Sequence, residues 1–119
     1  MDKVNFITTE MGTDIIISLS CDEGTEFGID GFTMIRTPKY EFALMPDERG
    51  ACINWDDETD TREIVKKITW IGHKITFESS TKKIYRFDLS RLSEVDKKRL
   101  WKTIEKINFD RSIIVKHKA

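Results

Sequence analysis

The stretch that most constrains the fold runs from Glu63 to Leu89 and reads EIVKKITWIGHKITFESSTKKIYRFDL. It is rich in β-branched and aromatic residues, which suit the pleated, half-buried surface of a sheet. Gly72 and the Ser79-Ser80-Thr81 triplet divide it into three pieces of ordinary strand length. We therefore predict a three-stranded meander, whose core-facing side chains are Ile68, Trp70, Ile75, Phe77, Ile84, Tyr85 and Phe87.

Shorter segments of similar character precede the meander. Alternation of Tyr40, Phe42 and Leu44 indicates a half-buried strand, and Asp30-Gly31 is a favoured two-residue hairpin turn. Pro46 and Gly50 bound a turn, because proline presets its backbone and glycine tolerates a positive φ. The predicted strands are Val4–Thr9, Asp14–Ser20, Glu26–Arg36 (with the turn inside it), Lys39–Met45 and Ala51–Trp55.

One helix is predicted, over Ser93–Asn108. Ser93 can cap its N-terminus, and Glu94 and Asp96 favour the positive end of the helix dipole. Leu100, Ile104 and Ile107 follow the spacing of a buried stripe, with Trp101 at its border. After the helix, the apolar residues 113–115 are expected to dock as a short final strand.

These elements predict an α+β domain: a mostly antiparallel sheet of six to eight strands, with one C-terminal amphipathic helix packed on it. A length of 119 residues indicates a single domain, residues 1–119. Cys21 and Cys52 fit no paired motif, and we interpret them as reduced thiols of a cytoplasmic protein. Neither a secretory signal nor an apolar run long enough for membrane insertion is recognisable.

Charge is distributed unevenly along the chain. Residues 1–63 carry a net charge of −10 and residues 64–119 a net charge of +9. Such asymmetry suggests charged partners, although strands from the two halves that pair in space would cancel it.

The densest acidic segment is WDDETDTRE, residues 55–63, called the acidic stretch below. As a calcium loop it fails, because Thr61 and Lys67 occupy the positions that require glycine and a bidentate glutamate. The cysteines and histidines lack zinc-ligand spacing, so no metal and no cofactor are expected.

The sequence contains no nucleophile elbow, phosphate-binding loop or dinucleotide fingerprint. We therefore predict that the protein is not an enzyme. Lysine pairs at 66–67, 82–83 and 97–98 could favour nucleic acid, but the pI of about 6.1 argues against such a partner.

Protein binding fits the acidic stretch best, because clustered carboxylates can anchor a cationic surface and speed its association. The alternative is a solvated acidic segment that only maintains solubility. The predicted partner-binding residues are Trp55, Asp56, Asp57, Glu58, Asp60 and Glu63.

The part of the chain from about residue 50 to 108 resembles small immunity proteins of bacterial polymorphic and contact-dependent toxin systems. The resemblance is one of architecture: a strand GACINWDDE, the meander, then the capped helix SEVDKKRLWKTIEKI. It implies a cytoplasmic, non-catalytic protein that binds and neutralises one cognate toxin, often a nuclease. Nucleases are basic where they hold phosphate, so an acidic inhibitor surface suits them.

The strand count and terminal helix also look like a pleckstrin-homology-like domain. That alternative implies that the basic half faces an acidic ligand or lipid headgroup, through Lys66, Lys67, Lys82, Lys83 and Arg86. Neither the identity of the partner nor the oligomeric state can be read from the sequence.

Overall fold

The computed structural model describes residues 2–21, 31–45, 49–53 and 63–118. It confirms the predicted α+β class, with a mostly antiparallel eight-stranded sheet and one helix packed on it. The elements are β1 (Asp2–Met11), β2 (Ile15–Cys21), β3 (Gly31–Arg36), a 3-10 helix (Pro38–Ala43), β4 (Cys52–Ile53), β5 (Val65–Ile71), β6 (Lys74–Ser79), β7 (Ile84–Asp88), α1 (Glu94–Ile107) and β8 (Ile114–Lys118).

The strands lie in the order β4-β3-β2-β1-β7-β6-β5-β8. The antiparallel group β1–β4 and the predicted meander β5–β7 are joined by a short parallel pairing of β1 with β7. β8 pairs parallel to β5, so that His117 lies beside Trp70. A bridge between Cys52 and Ile64 brings β4 against the residues that enter β5, and the sheet therefore closes on itself at this corner.

The core lies inside this curved sheet. The ring of Phe32 stacks on that of Phe77 with centroids 4.8 Å apart, and lies 5.3 Å from both Tyr85 and Phe87. The strand group β1–β3 and the meander thus share one aromatic centre. Such ring pairs contribute beyond their buried area, by about 0.5–1.5 kcal/mol each.

Helix α1 covers β1 and β2 with the stripe that the sequence predicted. Leu100, Ile104 and Ile107 are buried, and Trp101 is half-buried at the border. The cap is also confirmed, since the backbone N–H of Asp96 donates to Ser93 Oγ at 3.1 Å.

The chain after α1 is directed into β8 by Asn108, whose backbone N–H donates to the carbonyl oxygen of Ile104 at the helix end. Its side chain donates to the carbonyl oxygen of Ile113 and accepts from the N–H of Ile113. The predicted final strand forms, as Ile114–Lys118.

Two predictions are wrong. Lys39–Met45 is not a strand: Pro38–Ala43 forms a 3-10 helix, with Tyr40 and Phe42 exposed by 58% and 80%. The turn brings Glu41 to Arg36, and this buried ion pair outweighs the alternation of apolar residues. Ile84, predicted in the core, is 42% exposed because Tyr85 and Phe87 take the inward positions of β7.

Other expectations concern turns, cysteines and membrane spans. Gly50 and Gly72 adopt positive φ angles of 141° and 60°, as turn glycines do. Of the predicted hairpin turn, Asp30 lies outside the described residues, whereas Gly31 is the first residue of β3 and pairs with Ser20. Cys21 and Cys52 are half-buried thiols. Within the described ranges, no helix combines the length and apolarity needed to cross a membrane.

Candidate functional site

The acidic stretch is anchored at the corner where the sheet closes. Its residues Trp55, Asp56, Asp57, Glu58 and Asp60 lie outside the described residues, whereas both flanks and Glu63 are described. The N–H of Ile53 donates to the carbonyl oxygen of Glu63, and the N–H of Val65 donates to that of Ala51, both at 2.9 Å. The segment 54–62 therefore begins and ends at one fixed point of the sheet.

The turn between β6 and β7 holds this corner from the other side. Ser80 donates its N–H to the carbonyl oxygen of Ile64 at 2.7 Å, and its Oγ accepts the N–H of Ile64 at 3.0 Å. Gly50 lies directly against this point, where a Cβ atom would come within 2.7 Å of the Ile64 side chain. The corner is thus tightly packed and fully hydrogen-bonded at Ile64.

Glu63 is the one predicted site residue that the structure describes, and it is tied into the fold. Its Oε1 accepts hydrogen bonds from the Tyr85 hydroxyl at 2.6 Å and from Thr81 Oγ1 at 3.1 Å. Burial of Tyr85, together with the adjacent Glu63 carboxylate, raises the pKa of the Tyr85 hydroxyl well above its ordinary value. At least one oxygen of Glu63 therefore has an intramolecular role.

A second candidate site, which the sequence reasoning did not single out, is a groove between α1 and the end of the β5–β8 pair. We call it the α1 groove; its volume is about 570 Å³, within the range of small-molecule sites. One wall is a helix face whose residues recur at the i, i+3, i+4 spacing: Glu94, Lys97, Lys98, Trp101, Lys102 and Glu105. Trp70, Gly72, His73, His117 and Lys118 supply the opposite wall.

Three aromatic rings meet in the α1 groove. The ring of His117 is tilted by 32° to that of Trp101, with centroids 4.3 Å apart, and its centroid lies 5.0 Å from that of Trp70. Trp70 is buried and its Nε1–H donates to the carbonyl oxygen of Gly72 at 3.0 Å. Trp101 and His117 keep partly exposed surfaces that a flat ligand can reach.

The charges around these rings are mainly positive. Lys97 is held in place, with Nζ 3.4 Å from Glu94 Oε1 and 3.4 Å from His73 Nδ1. Lys98 and Lys102 are exposed, and within the part of the chain that the structure describes neither has a carboxylate at ion-pair distance. Their periodicity was visible in the sequence, but the pairing of β8 with β5 that completes the groove was not.

Among the described residues Arg36 is the most buried charged side chain, and the sequence did not predict its role. Its guanidinium donates to both oxygens of Glu41 and both oxygens of Asp110, at 2.8–3.0 Å, and to the carbonyl oxygen of Ile107. Burial opposes its charge, but the bonds to Glu41 and Asp110 outweigh this and raise the pKa of Arg36. The hydrogen bond from Arg36 likewise holds the pKa of Asp110 well below its ordinary range. This network fastens β3 to the end of α1.

The basic residues of the pleckstrin-like alternative lie on the meander. Lys67 pairs with Glu78 at 3.8 Å on neighbouring strands, and Arg86 lies exposed on β7. Lys82 and Lys83 lie in the turn between β6 and β7, and Lys66 is exposed on β5. The structure distributes these residues over a sheet face and a turn, and Lys67 is already paired with an acid.

Among the described residues, no cluster of three histidine, cysteine, aspartate or glutamate side chains could hold a metal ion. Comparison of the chain with protein-family models, with curated proteins and with solved structures finds no significant match.

Proposed function

We propose that this chain is a cytoplasmic, non-catalytic immunity protein that binds and neutralises a cognate bacterial toxin with a basic surface. The observation that carries the proposal is the anchored corner. The segment 54–62 lies between Ile53 and Glu63, which are hydrogen-bonded to each other. It contains four closely spaced carboxylates: Asp56, Asp57, Glu58 and Asp60. Both flanks of this segment are therefore fixed at the same corner of the sheet.

Concentrated negative charge suits a basic partner for two physical reasons. Repulsion among the acids destabilises the free protein slightly, and a cationic surface relieves it. A complementary field also raises the association rate, most strongly at low salt. A nuclease toxin fits this description, because its phosphate-binding surface must be basic.

The test uses a purified, basic, toxin-like protein encoded next to this chain. Its association with the wild-type chain is compared with that of the quadruple variant Asp56→Asn, Asp57→Asn, Glu58→Gln and Asp60→Asn. We expect the association rate of the variant to fall at least about ten-fold at low salt and to lose most of its salt dependence. Protection of cells that co-express the toxin should fall with it.

A matched control carries four neutralised acids elsewhere: Glu10→Gln, Glu78→Gln, Glu94→Gln and Glu105→Gln, three of them exposed and one half-buried. It has the same net charge as the quadruple variant, and we expect it to retain most of the association rate. If both variants bind equally well, the acidic stretch is a solvated segment only. If the wild-type chain neither binds nor protects, the immunity function itself is wrong.

The pleckstrin-like alternative stays a prediction with its own measurement. Co-sedimentation with vesicles of anionic lipid would support it if Lys66→Gln, Lys82→Gln and Arg86→Gln together abolished binding. The paired state of Lys67 with Glu78 makes that surface less cationic than the sequence alone suggested.

A further inference from the structure

We infer that the α1 groove binds a free nucleotide, with the base against Trp101 and His117 and the phosphates near Lys98 and Lys102. The groove is separate from the corner that holds Glu63. β5 rises about 20 Å from Val65, beside that corner, to Ile71, beside Trp70 and Gly72 of the groove, so the corner and the groove lie at opposite ends of that strand.

The aromatic part of the inference rests on the rings. Trp101 and His117 are in contact, with ring centroids 4.3 Å apart and planes tilted by 32°, and both retain exposed surface. Trp70 behind them is fixed by its hydrogen bond to Gly72, so this wall is rigid. A flat, π-rich group adds to such a wall at little conformational cost, and base stacking on an aromatic side chain is sequence-tolerant.

The anionic part rests on the lysines. Lys98 and Lys102 are one helical turn apart on α1 and flank Trp101, so both ammonium groups border the same space. Glu94 faces Lys97 rather than these two lysines. A phosphate group accepts charge-assisted hydrogen bonds from ammonium groups, and among the described residues neither of these two ammonium groups is in an ion pair.

Size and net charge favour a free nucleotide over a nucleic-acid strand. A groove of about 570 Å³ matches a small ligand. The chain as a whole carries a net charge of −1, which does not attract a long polyanion. The groove is therefore locally positive, although the chain as a whole has a small negative net charge.

Isothermal titration calorimetry with ATP, AMP, adenosine and inorganic tripolyphosphate tests this inference. ATP should bind the wild-type chain with a dissociation constant below about 1 mM. AMP, adenosine and tripolyphosphate should each bind more weakly than ATP. AMP has a single phosphate, adenosine has none, and tripolyphosphate has no base. Trp101→Leu should weaken ATP at least about ten-fold, and Trp101→Phe, which keeps a ring, should restore most of the affinity.

The charge is tested by Lys98→Gln with Lys102→Gln, which should weaken ATP about ten-fold and leave adenosine unchanged. The control pair Lys82→Gln with Lys83→Gln has the same net charge, lies outside the groove, and should bind ATP like the wild-type chain. The quadruple acidic-stretch variant should also bind ATP normally, which separates this inference from the immunity function.

Three results would overturn the inference. The first is absence of measurable ATP binding by the correctly folded wild-type chain. The second is ATP binding as tight as that of the wild-type chain in both Trp101→Leu and the groove lysine pair variant. The third is an eight-nucleotide single strand that binds more than ten times as tightly as ATP, which would make the groove part of a nucleic-acid surface.

Discussion

Arg36 and the lysines of the α1 groove carry the same charge in opposite surroundings. Arg36 is 1% exposed, and its donors are matched by two carboxylates and a backbone carbonyl. Lys98 and Lys102 are exposed beside aromatic rings, and neither forms an ion pair within 4.0 Å with a described carboxylate.

The difference separates what a cation does for a fold from what it offers to a ligand. A buried charge requires fixed partners, so it dictates the positions of the elements that carry them. Exposed lysines have little effect on stability and keep their hydrogen-bonding capacity for another molecule. Four measurements test this difference.

The largest effect is expected from Arg36→Met. It leaves Glu41, which is 7% exposed, and Asp110 without their cationic partner. Loss of one partner from a buried pair typically lowers the free energy of unfolding by about 3–5 kcal/mol. Urea denaturation measures it, with the exposed Arg86→Met as the matched control. A loss below about 1 kcal/mol would show that the network does not hold β3 to α1.

Ile104→Ala tests whether the apolar stripe, in addition to the Arg36 network, holds α1 against the sheet. Ile104 is 1% exposed, and emptying such a site usually costs about 2–5 kcal/mol. Val95→Ala, at a position 74% exposed on the same helix, should change the free energy of unfolding by less than about 0.5 kcal/mol. Equal effects of the two substitutions would mean that α1 is not docked through this stripe.

Acid should weaken the Arg36 network through Asp110. The pKa of Asp110 is held low in the folded protein, whereas it is about 3.9 in an unfolded chain. The unfolded state therefore binds more protons below about pH 4, and stability falls as the pH drops further. The free energy of unfolding, measured between pH 2 and 7, should fall less steeply in Asp110→Asn. Parallel curves would remove Asp110 from the network's stabilising role.

The smallest effect is expected from Lys98→Gln with Lys102→Gln. Because these lysines have no described ion pair, the free energy of unfolding should change by less than about 0.5 kcal/mol. Thermal and urea denaturation of the variant and of wild type decide this. A loss of 1 kcal/mol or more would place the groove lysines among the structural cations and end the contrast.

The sequence predicted those parts of the fold whose information is local. Ser93 and the spacing of Leu100, Ile104 and Ile107 define α1 within a single segment, and Gly72 separates β5 from β6. Ile84 was misplaced because an apolar residue was taken as buried, although strict alternation from Tyr85 and Phe87 puts it outside.

Long-range features could not be predicted in this way. Arg36 and Asp110 are far apart in sequence, and nothing local shows that Arg36 needs Glu41 nearby, which is why a 3-10 helix replaced the expected strand. The α1 groove likewise depends on the parallel pairing of β8 with β5, which places His117 beside Trp70. The acidic stretch was found by composition alone, and Glu63 shows that membership in a cluster does not make every carboxylate a surface group.

The placement of β8 has a consequence for self-association. β8 stands last in the order of the described strands, and a strand in that place is a template on which a second copy of the chain can pair. Lys116, His117 and Lys118 fill most of this short strand. Antiparallel pairing of two such strands would set lysine against lysine, which is unfavourable directly across a sheet. The lysines at the end of β8 thus disfavour edge-to-edge pairing of two copies of the chain.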